Sequence, residues 1–174
     1  MLTVSVWKNK SMEAVVKWWI LPLAMTLAGS AQAVTWEIKP EGLGPYKVGA
    51  RYENLGKTFG GLQPDKAISE DKSCRVARSK RYPNVDVTFV KKVVARVDIS
   101  GGFATDRKVH IGDPFFKLQR VYGDAVKPHP EHADWMMVET GDRELAIRYM
   151  MREGRVVAIH SGKRLQLQTL DGCK

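Results

Sequence analysis

Lys47-Val48-Gly49-Ala50-Arg51-Tyr52-Glu53-Asn54-Leu55-Gly56-Lys57-Thr58-Phe59-Gly60 aligns without a gap on His110-Ile111-Gly112-Asp113-Pro114-Phe115-Phe116-Lys117-Leu118-Gln119-Arg120-Val121-Tyr122-Gly123, 63 residues further along the chain. The agreeing pairs are Val48/Ile111, Gly49/Gly112, Tyr52/Phe115, Leu55/Leu118, Phe59/Tyr122 and Gly60/Gly123. In each copy the apolar members fall at i, i+3 and i+7, one stripe of a helix. Asp113 suits an N-cap, Pro114 suits the first helical position where its missing N–H is no loss, and Gly60 and Gly123 suit the left-handed residue that closes a helix. Each copy predicts one short amphipathic helix. The competing reading is coincidence within ordinary helix grammar, against which stands the recurrence of the same order of elements around each copy.

Strand material follows each helix. After the first come Val85–Val90 and Val93–Ile99, rich in β-branched residues, with Lys91-Lys92 as a tight turn between them. After the second come Trp135–Glu139, Glu144–Tyr149 and Arg155–His160, separated by the turn compositions Gly141-Asp142 and Glu153-Gly154. A last segment, Leu165–Leu170, alternates as a strand does and carries the chain into Cys173. Helix then antiparallel strands, twice over, predicts an α+β fold of two tandem units, about 42–104 and 105–174. The helices would pack on one face of a largely antiparallel sheet, with the other face open.

The 174 residues are 44% apolar and 27% charged, which excludes a disordered tail and a polytopic membrane protein. Residues 1–33 read as an export signal: Lys8, Lys10 and Lys17 precede the apolar run Trp18–Ala28, and Ala31-Gln32-Ala33 is a small-residue cleavage site. Translation starting at Met12 would give a shorter leader and the same product. A membrane anchor is the other reading, but the run falls short of the ~20 residues a span needs and contains Pro22. With no cysteine near the cut for lipid attachment, a protein without an integral span is expected in the periplasm or outside the cell. The chain carries 28 Lys and Arg against 19 Asp and Glu; three Lys and one Glu fall in the leader, so residues 34–174 remain basic. In an oxidising compartment Cys74 and Cys173 are expected to form one structural disulfide, since neither has a CxxC or Cys-His neighbourhood.

The stretches Glu41–Gly49, Val109–Pro114 leading to Tyr122-Gly123, and Asp171-Gly172-Cys173 resemble a family of small exported bacterial proteins of uncharacterised function. The helix-then-strands repeat is also similar to the β-lactamase-inhibitor-protein fold and to the outer-membrane assembly lipoproteins of the small protein A type. That resemblance implies a protein that binds other proteins and catalyses nothing. The acylated cysteine of the lipoproteins is missing, so outer-membrane anchoring is not implied. Fold-level likeness does not fix a function.

No motif carries a reaction by itself. His129-Pro130-Glu131-His132 is the one cluster of candidate metal ligands, but a site needs further ligands, and two prolines make the segment an extended loop. His110 and His160 stand alone in sequence. Ser100-Gly101-Gly102 and Ser161-Gly162-Lys163 read as turns, since neither GxSxG nor a phosphate loop is present. Asp86, Asp98, Glu139 and Glu144 read as outward-facing strand residues. Lys72, Arg75, Arg78, Lys80 and Arg81 crowd ten residues around Cys74, with Lys91, Lys92, Lys163 and Arg164 as possible additions, and such a patch attracts anionic partners.

These features predict an exported binding protein, an inhibitor or envelope accessory factor, without catalytic residues or cofactor. Its basic segment and exposed aromatics such as Trp135 or Tyr82 would serve as anchors. The partner would be an envelope or secreted protein or an anionic envelope polymer such as lipopolysaccharide or teichoic acid, not nucleic acid. The alternative is a small envelope hydrolase or metal-dependent enzyme centred on His129 and His132.

Overall fold

Two turns with left-handed backbone set the sheet. Lys91 and Lys92 have φ of 49° and 65°, Glu153 and Gly154 of 51° and 70°. Positive φ at both central residues is the type I′ geometry, whose twist matches that of paired strands. The turns therefore close hairpins at two of the three sites that sequence composition marks. A computed structural model describes residues 35–58, 61–64, 73–139, 142 and 144–173. The expected leader 1–33, Phe59, Gly60, Lys72 and Gly141 lie outside the described residues.

In chain order the strands are β1 (Glu37–Lys39), β2 (Gly42–Leu43), β3 (Tyr46–Lys47), β4 (Leu62–Pro64), β5 (Cys74–Ser79), β6 (Val85–Val90), β7 (Val93–Ile99), β8 (Ala104–Thr105), β9 (Val126–Pro128), β10 (Trp135–Glu139), β11 (Leu145–Arg152) and β12 (Arg155–Lys163). The helices are α1 (Tyr52–Thr58), α2 (Phe115–Tyr122) and α3 (Arg164–Leu167). One sheet has the order β4-β5-β6-β7-β12-β11-β10-β9, antiparallel at every step. A smaller sheet, β3-β2-β1-β8, contains one parallel pair, β1 with β8. The fold is α+β and mostly antiparallel, and residues 34–174 form one compact unit.

One face of the large sheet builds the core. Val85, Val87 and Phe89 of β6, Val97 and Ile99 of β7, Ile147 and Tyr149 of β11 and Ile159 of β12 join one buried cluster with Leu55 of α1 and Leu118 of α2. The helical stripe thus delivers the two leucines that the i, i+3, i+7 spacing singles out. Burying each contributes about 1.5–3 kcal/mol relative to exposure.

Three local expectations are corrected. Helix α2 begins at Phe115, one residue late: Pro114 is the extended N-cap, with φ −77° and ψ 156°. The cause is pairing, since Gly112 N–H bonds Val156 O, Val156 N–H bonds Asp113 O, and Pro114 bridges Arg155. Asp113 Oδ2 instead accepts from His110 N–H and Lys117 Nζ, each at 2.6 Å. Ser161-Gly162 is no turn but lies inside β12. A Cβ at Gly162 would stand 2.3 Å from Ala95 O, so glycine there allows close strand pairing.

Leu165–Leu170 is not a strand. Strand β12 already has β7 and β11 as neighbours, so no edge beside it is free, and the chain turns through α3 onto the sheet face opposite α1 and α2. That face is therefore covered, not open. Cys173 reaches Cys74 there, Cα to Cα 5.7 Å, closing a separation of 99 residues.

Cys173→Ser should lower global stability by about 2–5 kcal/mol, the usual effect of losing a crosslink over a long loop. Denaturant titration of the oxidised parent against the variant reads it. Equal midpoints would show that the crosslink adds nothing.

Candidate functional site

Strand register alone assembles a row of charged side chains across five strands. Arg78 pairs with Asp86, Asp86 with Asp98, Asp98 with His160 and His160 with Arg148. Directly paired residues share a face, so all five point away from the apolar core. Arg96, two residues before Asp98, shares that face opposite Gly162. The outer end is ordinary: Arg78 and Asp86 form a bidentate pair at 2.8 and 3.0 Å, largely solvated. The inner members are enclosed, with Arg148 at 0%, Arg96 at 2% and His160 at 5% exposure.

Residues 164–173 form the cover, a strap whose main-chain carbonyls meet the two buried guanidiniums. Arg96 Nη1 donates to Gln166 O at 2.8 Å and Thr169 O at 2.9 Å, and its Nη2 donates to Leu170 O at 2.8 Å and Asp98 Oδ2 at 2.6 Å. Arg148 Nη1 donates to Leu167 O and, at 2.8 Å, to Thr169 O. The carbonyls left unpaired at the end of a helix carry partial negative charge and suit a cation. Leu167 packs in a small cluster with Met137 and Ala146. Gly172, at φ 73°, lies so close that a Cβ would stand 2.7 Å from Arg96 Cζ. The glycine of the closing Asp-Gly-Cys stretch thus admits the guanidinium.

The seam is incompletely satisfied. Thr88 Oγ1, Arg96 Nε, Arg148 Nε, Gln166 Oε1 and Thr169 Oγ1 are buried without a hydrogen-bond partner among the described residues. Each such atom costs about 1–3 kcal/mol. Strap contacts alone are therefore weaker than their number suggests, and the disulfide at the strap's end compensates.

His160 Nδ1 lies 2.7 Å from Arg148 Nη2 and 2.8 Å from Asp98 Oδ1. One ring nitrogen serves one of them at a time. Asp98 Oδ1 receives no properly aligned hydrogen bond, so Nδ1 accepts from Arg148 and the neutral ring carries its hydrogen on Nε2. Burial pushes the His160 pKa down, with the two guanidiniums helping and Asp98 opposing. Asp98 is held well below the usual carboxylate range: burial works against its charge, but His160 and Arg96 together outweigh burial. Burial, and then the like charge of Arg96, lowers Arg148 to about 10, so it stays cationic at neutral pH.

The sequence-predicted residues are dispersed. Arg75 sits on the core side of β5 opposite Phe89, while Arg78 faces the other way toward Asp86. Lys80 and Arg81 are exposed beyond the strand, Arg81 over the Tyr82 ring at 5.6 Å. The basic segment is thus split over two faces. Tyr82 is half-buried, with Trp36 and Phe103 edge-on to it. Trp135 is no exposed anchor: only 6% accessible, it lies under the Arg148 guanidinium at 4.0 Å and against His132 at 3.7 Å. His129 and His132 have ring centroids 5.1 Å apart, and His129 Nδ1 accepts from Glu131 N–H. His129 is buried, not solvated. Among the described residues no group of three or more His, Cys, Asp or Glu converges.

Sequence reasoning missed the row because it took Asp98 and His160 singly. The hairpin turns alone would set 86 opposite 97 and 148 opposite 159; the register shifts between Thr88 and Phe89 and between Met150 and Met151 bring 98 and 160 into place, and nothing in the sequence marks those shifts or the β7 to β12 pairing that joins the hairpins. No family model, curated protein or solved structure matches the chain.

Stability should fall on acidification. The unfolded chain protonates its histidine below pH ~6.5, before buried His160 does, so stability present above that value declines as pH drops. Asp98 adds a second loss as pH falls below the unfolded value of ~3.9. Melting curves from pH 7 to 3 should show both limbs, and His160→Gln should flatten the upper one. An unchanged upper limb would mean that His160 titrates alike in both states.

Proposed function

We propose that this chain is an exported, non-catalytic binding protein of the periplasm or cell exterior, built of two tandem helix-plus-strands units resembling the inhibitor and small protein A folds. Its partner is an envelope or secreted protein or an anionic envelope polymer.

The two-unit reading is supported by hydrogen bonds that recur in the same pattern, their partners before each helix 63 residues apart, as in the sequence match, and those in each hairpin 62 apart. Gly49 N–H bonds Val94 O as Gly112 N–H bonds Val156 O; Tyr52 N–H bonds Lys92 O as Phe115 N–H bonds Gly154 O; Val94 N–H bonds Ala50 O as Val156 N–H bonds Asp113 O. Gly49 and Gly112 share φ of 90°. Both hairpins shift register in the same place, between Thr88 and Phe89 and between Met150 and Met151.

The observation that carries the functional reading is the use made of Asp98 and His160. An acid–base pair serves catalysis when it reaches a substrate atom or a nucleophile. Here the carboxylate is committed to Arg96, and the imidazole to Arg148. Both guanidiniums hold the strap that closes the face. The most enzyme-like constellation in the described residues works as an anchor for the chain's own end.

Affinity capture from envelope extracts at low and high salt tests the proposal. A specific partner is expected at low salt, retained by the doubly substituted His129→Ala, His132→Ala protein and weakened at high salt where charge steers the encounter. Absence of any partner at either salt would remove its support, and loss of binding on removing the histidines would revive the alternative site.

A further inference from the structure

The first unit contains a cavity at a place where strand register gives the second a larger side chain. Between α1 and β5 lies a space of about 440 Å³ lined by Tyr52, Val76, Ala77, Phe89, Arg75 and Lys92, with Glu53 also in its lining. That volume falls within the ~300–1,000 Å³ of small-molecule sites. Its wall is apolar and aromatic: Tyr52 and Phe89 meet edge to face at 5.2 Å.

Strand register identifies the counterpart of each lining residue. Ala77 pairs with Val87, one residue before the register shift in the first hairpin's neighbour pairing; Met136 pairs with Tyr149, one residue before the shift in the second. Met136 packs on the core cluster, so the second unit carries a long side chain at the register position that Ala77 holds in the first. By the same register Val76 corresponds to Trp135, again small against large. Two residues before Ala77 stands Arg75, opposite Phe89. Two residues before Met136 stands Asp134, whose carbonyl takes the N–H of Met151.

Arg75 breaks the inward pattern of its strand. Ala77 and Ser79, on the same side, are buried, whereas Arg75 is exposed at the cavity. Among the described residues it has neither ion pair nor side-chain hydrogen bond. Lys92 is 80% exposed and meets Glu53 only at 3.9 Å, a contact of little strength in water. An apolar wall with an unspent guanidinium and an ammonium at its rim complements a ligand with a slender apolar body and an anionic head. Arg in particular matches carboxylate and phosphate by paired hydrogen bonds.

The geometry points to a binding site in this cavity for a small anionic amphiphile, an alkyl or aryl carboxylate or phosphate, with Arg75 and Lys92 receiving the head. The comparison of units rests on the two-unit reading above. The site itself does not require a protein partner, so calorimetry and affinity capture can fail independently.

Decanoate and decyl phosphate, each below its micelle concentration, should bind the oxidised protein one to one in titration calorimetry, with decanol at least tenfold weaker. Arg75→Ala should weaken decanoate about tenfold and leave decanol unchanged. Ala77→Met, which copies the second unit's residue at that register position, should abolish binding of both, and unchanged melting curves should show that each variant folds. Sedimentation with phosphatidylglycerol vesicles that is lost in Arg75→Ala would assign a lipid as the source of the anion; decanoate binding without sedimentation would assign a free amphiphile. No heat with either anion, decanol equal to decanoate, or undiminished decanoate binding by a folded Ala77→Met or Arg75→Ala protein would overturn the site.

Discussion

Two guanidiniums taken out of water constrain the strap-covered half of this molecule. Arg96 and Arg148 stand on strands that are distant in sequence, and among the described residues one carboxylate, Asp98, accompanies them. Charges placed there are tolerable only if oxygen atoms replace the lost water. The strap provides them through the carbonyls of Gln166, Leu167, Thr169 and Leu170. The strap in turn lacks a strand partner, so its carbonyls need donors. Each side satisfies the other where water is excluded.

That mutual need divides the large sheet into two unlike faces. The helix side is held by apolar packing around Leu55 and Leu118 and would tolerate many aliphatic substitutions. The strap side is held by directional bonds, by Gly172 against Arg96 and by the covalent tie from Cys173 to Cys74. Directional networks specify one arrangement but leave polar atoms stranded where the geometry falls short, as at Thr88 and Gln166. The two faces also separate the functional possibilities. The charged row is occupied by the strap, whereas the cavity beside Arg75 lies toward the helices.

Much of the secondary structure was legible because hairpins are local. Lys91-Lys92 and Glu153-Gly154 stand between runs of β-branched residues, and the five strands expected there form. Helix α2 was expected one residue early because a good N-cap type at Asp113 says nothing about the bridge from Pro114 to Arg155, which keeps the chain extended. Strand β5 was hidden inside what read as a basic segment, since charges at Arg75 and Arg78 mask an alternation of buried Cys74, Val76, Ala77 and Ser79. Leu165–Leu170 misled for the opposite reason: its Leu/Gln alternation is that of a strand, but the sheet had no edge to offer it.

By itself the sequence determined the two amphipathic helical stripes, the hairpins and the cysteine pair as a crosslink, all consequences of residue type at short spacing or of there being only two thiols. Only the tertiary structure decided that Asp98 faces His160, that Trp135 is stacked beneath Arg148, and that Arg75 turns toward a cavity while Arg78 turns away. Those placements follow from the pairing of β7 with β12 and from the path of the strap. Both are contacts between segments far apart in the chain, whose register is set by packing the whole sheet and not by any neighbouring residues.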